Sequence, residues 1–432
     1  MLSDPVTFTT LRPAPQPRER KTVIVVGAGP AGIMAAGQAA LAGADVLVLE
    51  KMNQAGKKLL LTGQGRCNIT NVSERHDFIA HFNRAGRFLH QPFARFFVAE
   101  LMFFFQQQGL SLTTERGGRV FPTSNRAADV VATLLRWLAD TGARLQCASA
   151  VCDLVLDGDR VAGVRCADAT LTAEAVIIAT GGASYPATGS TGDGFTFARR
   201  AGHTIVSLQP ALIGLTTADS RLTSLARLDL RNVGVRIYLD GKRKKTAFGE
   251  VGFTRSGLGG PVILTHSREI VSWLRQSRPV TVALDLKPAL DHAKLDARLQ
   301  RDFTRRTKEE LRSVLGGLLP RQLIPVCLDL LALDGSRPAG AMTAAERTRL
   351  RNWLKDFRIE ISGFRPLREA IVTAGGVRVA EVNPQTMESR LVKGLYFAGE
   401  LLDIDGDTGG YNLQAAFSTG WLAGCTAAGT GR

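Results

Sequence analysis

The chain has 432 residues, of which 45% are hydrophobic and 22% are charged, a composition that excludes a disordered or fibrous protein. This length exceeds what one hydrophobic core usually serves, so we expect two or three domains. The formal net charge of +15 suits either an anionic partner or a solvated basic surface. No apolar run is long enough to span a bilayer, so we expect no membrane partner.

Two features of the sequence bear on its compartment. Residues 12–20 place Pro13, Pro15 and Pro17 among charged residues, and residues 1–20 contain no apolar signal segment, which predicts a disordered leader. The six cysteines form no CxxC pair and no metal-ligand spacing, so we expect a cytoplasmic location and no bound metal. A flavin disulfide reductase is excluded, because that class needs two nearby thiols.

Residues 23–32 read VIVVGAGPAG, a buried strand that leads into Gly-x-Gly-x-x-Gly and a helix. Gly27 permits the tight turn, Gly29 lets the backbone approach a pyrophosphate, and Gly32 lets the helix pack close to the strand. A second buried strand ends at Glu50, where a carboxylate can accept hydrogen bonds from a ribose. The pattern predicts dinucleotide binding by Gly27, Ala28, Gly29, Pro30, Ala31, Gly32, Glu50 and Lys51.

A loop rich in glycine and cations follows the second strand, where residues 56–71 read GKKLLLTGQGRCNITN. Backbone N–H groups of such a loop can surround phosphates and approach the flat ring of a cofactor. We therefore add to the predicted site Lys57, Lys58, Gly63, Gly65, Arg66, Cys67 and Asn68.

Up to residue 206, strands and helices alternate, which is typical of an α/β domain. Residues 92–108 and 126–141 have helical spacing, and the alternating stretch 151–171 predicts an antiparallel meander. Residues 176–182 read VIIATGG, a buried strand whose end lies against the cofactor in many FAD proteins. This adds Thr180 and Gly181 to the predicted cofactor site.

The middle of the chain has a different character, β-rich over residues 207–288 and helical over residues 289–358, where TAAE at residues 343–346 predicts a capping box. Lys and Arg outnumber Asp and Glu by twenty to eleven between residues 219 and 312. The run KRKK at residues 242–245 has no interleaved aromatic residue for base stacking. We therefore favour a solvated basic surface over a nucleic-acid site.

After residue 359 the α/β pattern returns. Residues 394–400 read GLYFAGE, a strand whose terminal carboxylate can bind ribityl hydroxyls. Residues 409–414 (GGYNLQ) then begin a helix, and its N-terminus would face the ring edge where negative charge grows on reduction. This segment adds to the predicted site Gly399, Glu400, Gly410, Tyr411, Asn412 and Leu413.

In order and wording, the pieces GAGPAG, GKKLLLTGQGRCNITN, GGRVFPTS, VTAGGV, NPQTMESRLVKGLYFAGE and DGDTGGYNLQ resemble the BaiN/RdsA-type NAD(P)/FAD-dependent oxidoreductases. This family is also labelled aminoacetone-oxidase-like flavoproteins, and the match runs from residue 21 to residue 420. The resemblance implies an α/β fold, with a split Rossmann-like FAD-binding domain that carries a β-rich plus helical insertion. It also implies that FAD is the cofactor and that the backbone of Val151 meets the adenine.

The resulting domain prediction is a leader (1–20), a first FAD-binding part (21–206), a β-rich insertion (207–288), a helical insertion (289–358) and a second FAD-binding part (359–432). The insertion contains one departure from the family. Where the family often has Thr-His-x-Gly-Leu-Ser-Gly-Pro, this chain has TRSGLGGP with Arg255 in place of the histidine. Arg255 is the candidate catalytic residue, able to bind a carboxylate or polarise a carbonyl, although a plain surface arginine fits equally well.

No second strand–GxGxxG–helix unit is present in the sequence, so we expect NAD(P)H only as a transient donor. The favoured function is an FAD-dependent oxidoreductase that uses hydride from NAD(P)H to reduce a C=C or related bond in a small or polycyclic organic substrate. Two alternatives stay open: an amine or 2-amino-ketone oxidase that uses oxygen, and a flavin-bound RNA- or partner-binding protein that uses the basic insertion. The sequence does not predict an oligomeric state.

Overall fold

The computed structural model describes residues 20–429, so the predicted leader lies outside the described residues except for Arg20. The first part of the chain contains β1 (Thr22–Val26), α1 (Pro30–Leu41), β2 (Asp45–Leu49), α2 (Lys57–Leu61), β3 (Thr70–Asn71), α3 (Arg75–Ala80), α4 (His90–Arg95), α5 (Val98–Gln107), β4 (Leu112–Thr114), β5 (Arg119–Pro122), α6 (Ala127–Asp140), β6 (Arg144–Gln146), β7 (Val151–Asp157), β8 (Arg160–Cys166), β9 (Thr170–Thr172), β10 (Ala175–Ile178) and α7 (Asp193–Arg200).

The middle part contains β11 (Ile205–Ala211), β12 (Leu215–Thr216), β13 (Asp229–Leu239), β14 (Lys242–Thr254), β15 (Gly257–Gly259), α8 (Pro261–Arg275), β16 (Val280–Asp285), α9 (His292–Arg305), α10 (Leu311–Leu315), α11 (Leu323–Leu331), α12 (Ala344–Lys355), β17 (Phe357–Ile361) and β18 (Gly363–Phe364). The last part contains β19 (Val372–Val377), β20 (Leu395–Phe397) and α13 (Tyr411–Ala427). Every helix among residues 20–429 is too short or too polar to cross a membrane.

A five-stranded parallel sheet lies at the centre of the first core, in the order β20-β10-β1-β2-β6. Its middle strand β1 reads TVIVV, and the β-branched residues Val23, Ile24 and Val25 are at most 1% exposed, as expected for a strand buried on both faces. β20 lies beyond the insertion in sequence, yet it pairs with β10, where Tyr396 is the partner of Ile177. The prediction of an α/β fold with a split Rossmann-like domain is confirmed.

The middle part builds a second core around a seven-stranded sheet in the order β17-β16-β13-β14-β15-β12-β18. Leu295 and Leu299 of α9, and Leu350 of α12, pack into the same hydrophobic cluster as Val235 and Ile237 of β13. The strands and the helices of this part therefore share one core. The division of residues 207–358 at residue 289 stays a prediction.

Smaller sheets complete the first core. The meander predicted over residues 151–171 is present as β7-β8-β9, and β3-β5-β4 forms a second three-stranded sheet. The capping box predicted at the start of α12 is also confirmed, because the Thr343 hydroxyl accepts from the Glu346 N–H and the Glu346 carboxylate accepts from the Thr343 N–H.

One predicted helix is wrong. Residues 92–108 form two helices, α4 and α5, because Phe96 and Phe97 between them have extended backbones. The carbonyl of Phe96 accepts a 2.7 Å hydrogen bond from the Ser418 hydroxyl of α13, and its ring stacks on Trp421 of the same helix. Contacts with α13, remote in sequence, replace the local hydrogen bonds that would have continued the helix.

Candidate functional site

The turn between β1 and α1 contains three glycines with different surroundings. A Cβ on Gly27, which has φ +100°, would lie 2.7 Å from the Ala179 carbonyl oxygen, and a Cβ on Gly32 would lie 1.9 Å from the Gly27 carbonyl oxygen. A Cβ on Gly29 would meet no protein atom within 4 Å. Gly27 and Gly32 are therefore needed for packing within the protein, whereas the space beside Gly29 is open to a ligand. Pro30 and the buried Ala31 form the first turn of α1.

Two long helices begin beside this open space. Gly29 caps α1 and Gly410 caps α13, and neither cap contributes a side-chain hydrogen bond. The helices pack closely and in parallel, because a Cβ on Gly420 would lie 2.3 Å from the Ala31 oxygen and one on Gly424 would lie 2.2 Å from the Ala35 oxygen. Since Ala31 lies level with Gly420, α13 extends eight residues, or about 12 Å at 1.5 Å per residue, beyond the start of α1.

Glu50 directly follows β2 and is hydrogen-bonded to the glycine-containing turn between β1 and α1. Its carboxylate accepts hydrogen bonds from the Ala28 N–H at 2.8 Å and the Met52 N–H at 2.9 Å. Its carbonyl oxygen accepts from the Ser149 N–H at 2.9 Å, which brings the segment leading to Val151 beside Glu50. The structure therefore brings together the three segments predicted to bind the adenosine half of the cofactor.

Glu400 follows β20 and lies in a cluster of polar residues with Lys58, Ser184 and Thr373. Its carboxylate contacts the Lys58 ammonium at 2.6 Å and accepts from the Thr373 N–H at 2.9 Å. Lys58 also donates to the Ser184 hydroxyl at 2.8 Å. Gly399, Glu400 and Asn412 line one small cavity.

Lys51 forms an ion pair with the first residue of α7, with 2.6 Å between its ammonium and the Asp193 carboxylate. Lys57 is partly exposed at the start of α2. Thr180 and Gly181 follow β10, and the buried hydroxyl oxygen of Thr180 has no hydrogen-bond partner among the described residues. Of the four cations in the predicted cofactor site, Lys51, Lys58 and Arg66 are in ion pairs.

The loop between α2 and β3 has a left-handed backbone at Gly63, Gly65 and Cys67. The Asn68 side-chain oxygen is buried without a hydrogen-bond partner among the described residues. Burial raises the pKa of the Cys67 thiol to about 12, so Cys67 is a packing residue rather than a redox thiol.

Arg66 in the same loop is held by protein groups. Its guanidinium lies 4.1 Å from the centre of the Phe121 ring, pairs with Glu115 and donates from Nε to the Asn125 oxygen at 2.8 Å. These contacts indicate that Arg66 fixes the loop.

The start of α13 packs against this loop. A Cβ on Gly410, which has φ +98°, would lie 2.5 Å from the Thr70 carbonyl group, so only glycine permits the approach. Asn412 donates to and accepts from the backbone of Gly406 at 2.8 Å, and Leu413 is half-buried. Asn412 thus holds the preceding loop through its side chain.

Sequence reasoning missed the polar groups beside Tyr411. His81 stacks on the Tyr411 ring with 4.1 Å between centroids, and His81 Nδ1 lies 2.8 Å from an Asp407 carboxylate oxygen. Asp405 is 5% exposed and contacts the amide of Asn83 at 2.6 Å and the guanidinium of Arg268 at 3.4 Å. No motif marks His81, because it lies in a helical segment 326 residues from Asp407.

Arg268 and His266 lie on α8, so this cluster joins the second core to the first. Burial, with Lys245 nearby, lowers the pKa of His266, and the carboxylates of Glu269 and Asp407 oppose that shift. Burial, reinforced by Asp405, raises the pKa of Asp403 to about 6. We call His81, Asp403, Asp405, Asp407, His266 and Arg268 the interface cluster.

Arg255 lies elsewhere. It is exposed in the turn between β14 and β15, and within residues 20–429 no hydrogen bond or ion pair connects it to a predicted cofactor residue. Its catalytic role stays a prediction. Within the same residues, no group of His, Cys, Asp and Glu side chains is arranged as a metal site.

The arrangement fits an extended dinucleotide such as FAD. Two helix N-termini without side-chain caps lie about 12 Å apart along one direction, which suits a pyrophosphate at the first and a flavin ring at the second. The buried oxygens of Asn68 and Thr180 lack protein partners, and Gly29 leaves its side of the turn open. A carboxylate stands at each end, Glu50 and Glu400.

The chain belongs to the family described as HI0933-like protein Rossmann domain, whose model matches residues 21–426. It is 33% identical over 408 residues to the 3-dehydro-bile acid delta(4,6)-reductase of Clostridium scindens, covering 94% of this chain and 98% of the relative. It is 28% identical over 403 residues to the ribosomal RNA dihydrouridine synthase of Escherichia coli K12, covering 93% and 97%.

Among solved structures, a 3-ketosteroid delta1-dehydrogenase from Sterolibacterium denitrificans in complex with 1,4-androstadiene-3,17-dione superposes with a TM-score of 0.50 at 14% identity. The superposition covers 94% of this chain and 99% of the other, and at that identity it supports the fold alone. The predicted family and the predicted class, an FAD-dependent oxidoreductase, are confirmed.

Proposed function

We propose that this protein uses NAD(P)H to reduce a carbon–carbon double bond in a small or polycyclic organic substrate. The observation that carries the proposal is the position of the interface cluster, which adjoins the start of α13 and extends across to α8. The 33% identical relative is named as a reductase of a bile acid, which supports a polycyclic substrate. No second dinucleotide fingerprint occurs in the chain, so the nicotinamide would bind only transiently.

Reduction of a double bond adds a hydride to one carbon and a proton to the other. Bound FAD, once it has been reduced by NAD(P)H, would supply the hydride. The residues that would hold the cofactor are those assigned to its site above: Gly27–Gly32, Glu50, Lys51, Lys57, Lys58, the loop from Gly63 to Asn68, Val151, Thr180, Gly181, Gly399, Glu400 and Gly410–Leu413. The proton can come from His81. When both ring nitrogens carry a proton, Nδ1–H donates to Asp407 and Nε2–H is free to transfer its proton to the substrate carbon.

Anaerobic stopped-flow spectroscopy separates the two half-reactions. We expect NADH or NADPH to bleach the flavin absorbance, and a Δ4-3-oxosteroid to restore it. His81→Gln should leave bleaching unchanged and slow the substrate step by about a hundredfold. His90→Gln, an exposed histidine on α4, is the matched control.

The proposal fails if neither nicotinamide bleaches the flavin. Hydrogen peroxide formed from an amine substrate would instead select the oxidase alternative. If both His81→Gln and His90→Gln leave the substrate step unchanged, the assignment of the proton donor fails while the reductase proposal stands.

Reduction of a uridine base in RNA is a second candidate. The E. coli relative is named as a ribosomal RNA dihydrouridine synthase, and this chain carries a net charge of +15. Restoration of the flavin absorbance by RNA but not by the steroid would select this candidate. A cytoplasmic location, predicted from the cysteine pattern, suits both substrates.

A further inference from the structure

The seven-stranded sheet has a second face that the core does not cover. In β13, Val233, Val235, Ile237 and Leu239 are buried, whereas Gly234, Arg236 and Tyr238 alternate with them and are only partly buried. Because successive side chains point to opposite sides of a strand, the second set faces outward. This face of the sheet contributes nothing to the proposed reaction.

The strand register places an aromatic ring and cations next to one another on the outward face. Phe248 of β14 is the partner of Gly234, Thr246 is the partner of Arg236, and Arg243 is the partner of Tyr238. Phe248 is 63% exposed, which is unusual for a ring in a strand 13 residues long. Gly234 itself has no side chain, and Asp285 of β16 lies on its other side, with its Cβ 3.1 Å from where a Cβ of residue 234 would be.

On the same face, the guanidinium of Arg358 extends this surface beyond β13, away from β14. Arg358 of β17 lies with its guanidinium carbon 5.0 Å from the centre of the Tyr238 ring. Asp356 holds both Arg358, at 2.7 Å, and Arg236, at 3.0 Å. Planar guanidinium groups and aromatic rings are the two surfaces on which nucleobases stack.

The turn between β13 and β14 adds positive charge. Lys242, Arg243 and Lys244 are exposed, and none of them takes part in an ion pair formed within residues 20–429. The outward face also carries acids: Glu360 lies opposite Tyr238 across β16, and Asp285, the partner of Gly234, is paired with Lys355 at 2.6 Å. The free charge at this end of the sheet is therefore positive and suits a phosphate backbone.

We propose that this outward face, formed by Arg236, Tyr238, Arg243, Lys244, Phe248 and Arg358, binds a single-stranded polynucleotide. The prediction against nucleic acid relied on the absence of aromatic residues within the run KRKK. The sheet supplies them from outside the run, because pairing brings Tyr238 beside Arg243 and the strand carries Phe248 on the same face. This inference holds for either proposed substrate.

Fluorescence anisotropy of a labelled oligouridylate of about twelve nucleotides, titrated with the full-length, flavin-loaded protein, tests the proposal. Phe248→Ala should weaken binding about tenfold, whereas Phe248→Tyr, which keeps a ring, should bind as the parent does. The matched control is Phe103→Ala, since Phe103 on α5 is 61% exposed and belongs to the other core. Arg243→Gln should lower the slope of log affinity against log salt by about 0.7.

Several results would overturn the proposal: no binding at low salt, equal binding by the Phe248→Ala and Phe103→Ala proteins, or tighter binding of duplex RNA than of the single strand. Binding to vesicles of anionic phospholipid without binding to oligouridylate would identify a lipid surface instead. Oligothymidylate tests whether the ribose hydroxyl matters. Flavin absorbance and circular dichroism of each variant show whether it is folded.

Discussion

Gly29 and Gly32 lie three residues apart, yet the structure needs them for different reasons. A Cβ at position 32 would overlap the Gly27 carbonyl oxygen at 1.9 Å, whereas a Cβ at position 29 would meet nothing within 4 Å. Gly29 has φ −86°, a value that alanine adopts freely. A side chain at position 29 would therefore occupy only the space assigned to the cofactor.

Alanine substitutions separate these roles. We expect Gly29→Ala to leave the thermal midpoint of the apoprotein unchanged and to weaken FAD binding at least about tenfold, because the backbone can no longer approach the pyrophosphate. Gly32→Ala should lower the thermal midpoint, because α1 must move away from β1. Calorimetric titration with FAD and thermal melts measure both effects, and normal FAD affinity in Gly29→Ala would contradict the assignment.

Asp403 makes stability depend on pH. Its pKa of about 6 in the folded protein exceeds the usual value for aspartate of about 3.9. The folded state therefore retains a proton that the unfolded state has lost, and stability falls as pH rises from about 4 to 6. We expect Asp403→Asn to be more stable than the parent by about 1 kcal/mol at pH 8, after allowance for solvent screening, and by less at pH 5.

Urea unfolding at the two pH values tests this prediction. Asp168→Asn is the control variant, because Asp168 is an exposed aspartate between β8 and β9. An equal gain for Asp403→Asn at both pH values would mean that the carboxyl is not the cause.

At the scale of elements, the capping box of α12 makes a measurable contribution to the free energy of unfolding. Thr343→Ala removes the hydroxyl that accepts from the Glu346 N–H and should lower the free energy of unfolding by about 1 kcal/mol. Arg337 and the Thr343 backbone hold the pKa of Glu346 at about 2. The stabilisation from that carboxylate is thus present above the ordinary pKa and is lost as pH falls towards 2.

Chemical denaturation at pH 7 and pH 3 measures the effect of Thr343→Ala. Thr223→Ala is the control, because Thr223 is an exposed threonine elsewhere in the middle part of the chain. A loss no greater than that of Thr223→Ala would show that the box does not stabilise the helix.

The elements that could be predicted from the sequence are those determined by interactions between residues close together in the chain. The capping box of α12, the fingerprint turn and the meander of β7 to β9 all depend on residues a few positions apart. The break at Phe96 and Phe97 and the His81–Asp407 contact were not predicted, because they depend on α13 and its preceding loop. The position of Phe248 on the same face of the sheet as Tyr238 likewise depends on the strand register, which composition does not reveal.

At the scale of the molecule, two hydrophobic cores lie in one chain, and the cofactor residues belong to the first. Ligand binding stabilises the unit that forms the site. We expect FAD at a hundredfold excess over its dissociation constant to stabilise the first core by about 2.7 kcal/mol. The second core should respond less.

Hydrogen exchange with mass spectrometry, with and without FAD, resolves the two cores. Protection should rise in β1, β10 and α13 and change little in β16 and α9. Uniform protection of both cores would show that the interface cluster couples them into one cooperative unit.

The pairing of β10 with β20 has a consequence for synthesis. The edge of β10 stays open while the ribosome produces more than half of the protein, since β20 spans Leu395–Phe397. The seven-stranded sheet, whose last strand ends at Phe364, can form during that interval. A nascent chain stalled before residue 395 should therefore expose an unpaired hydrophobic strand to chaperones, and release of the C-terminus would close it.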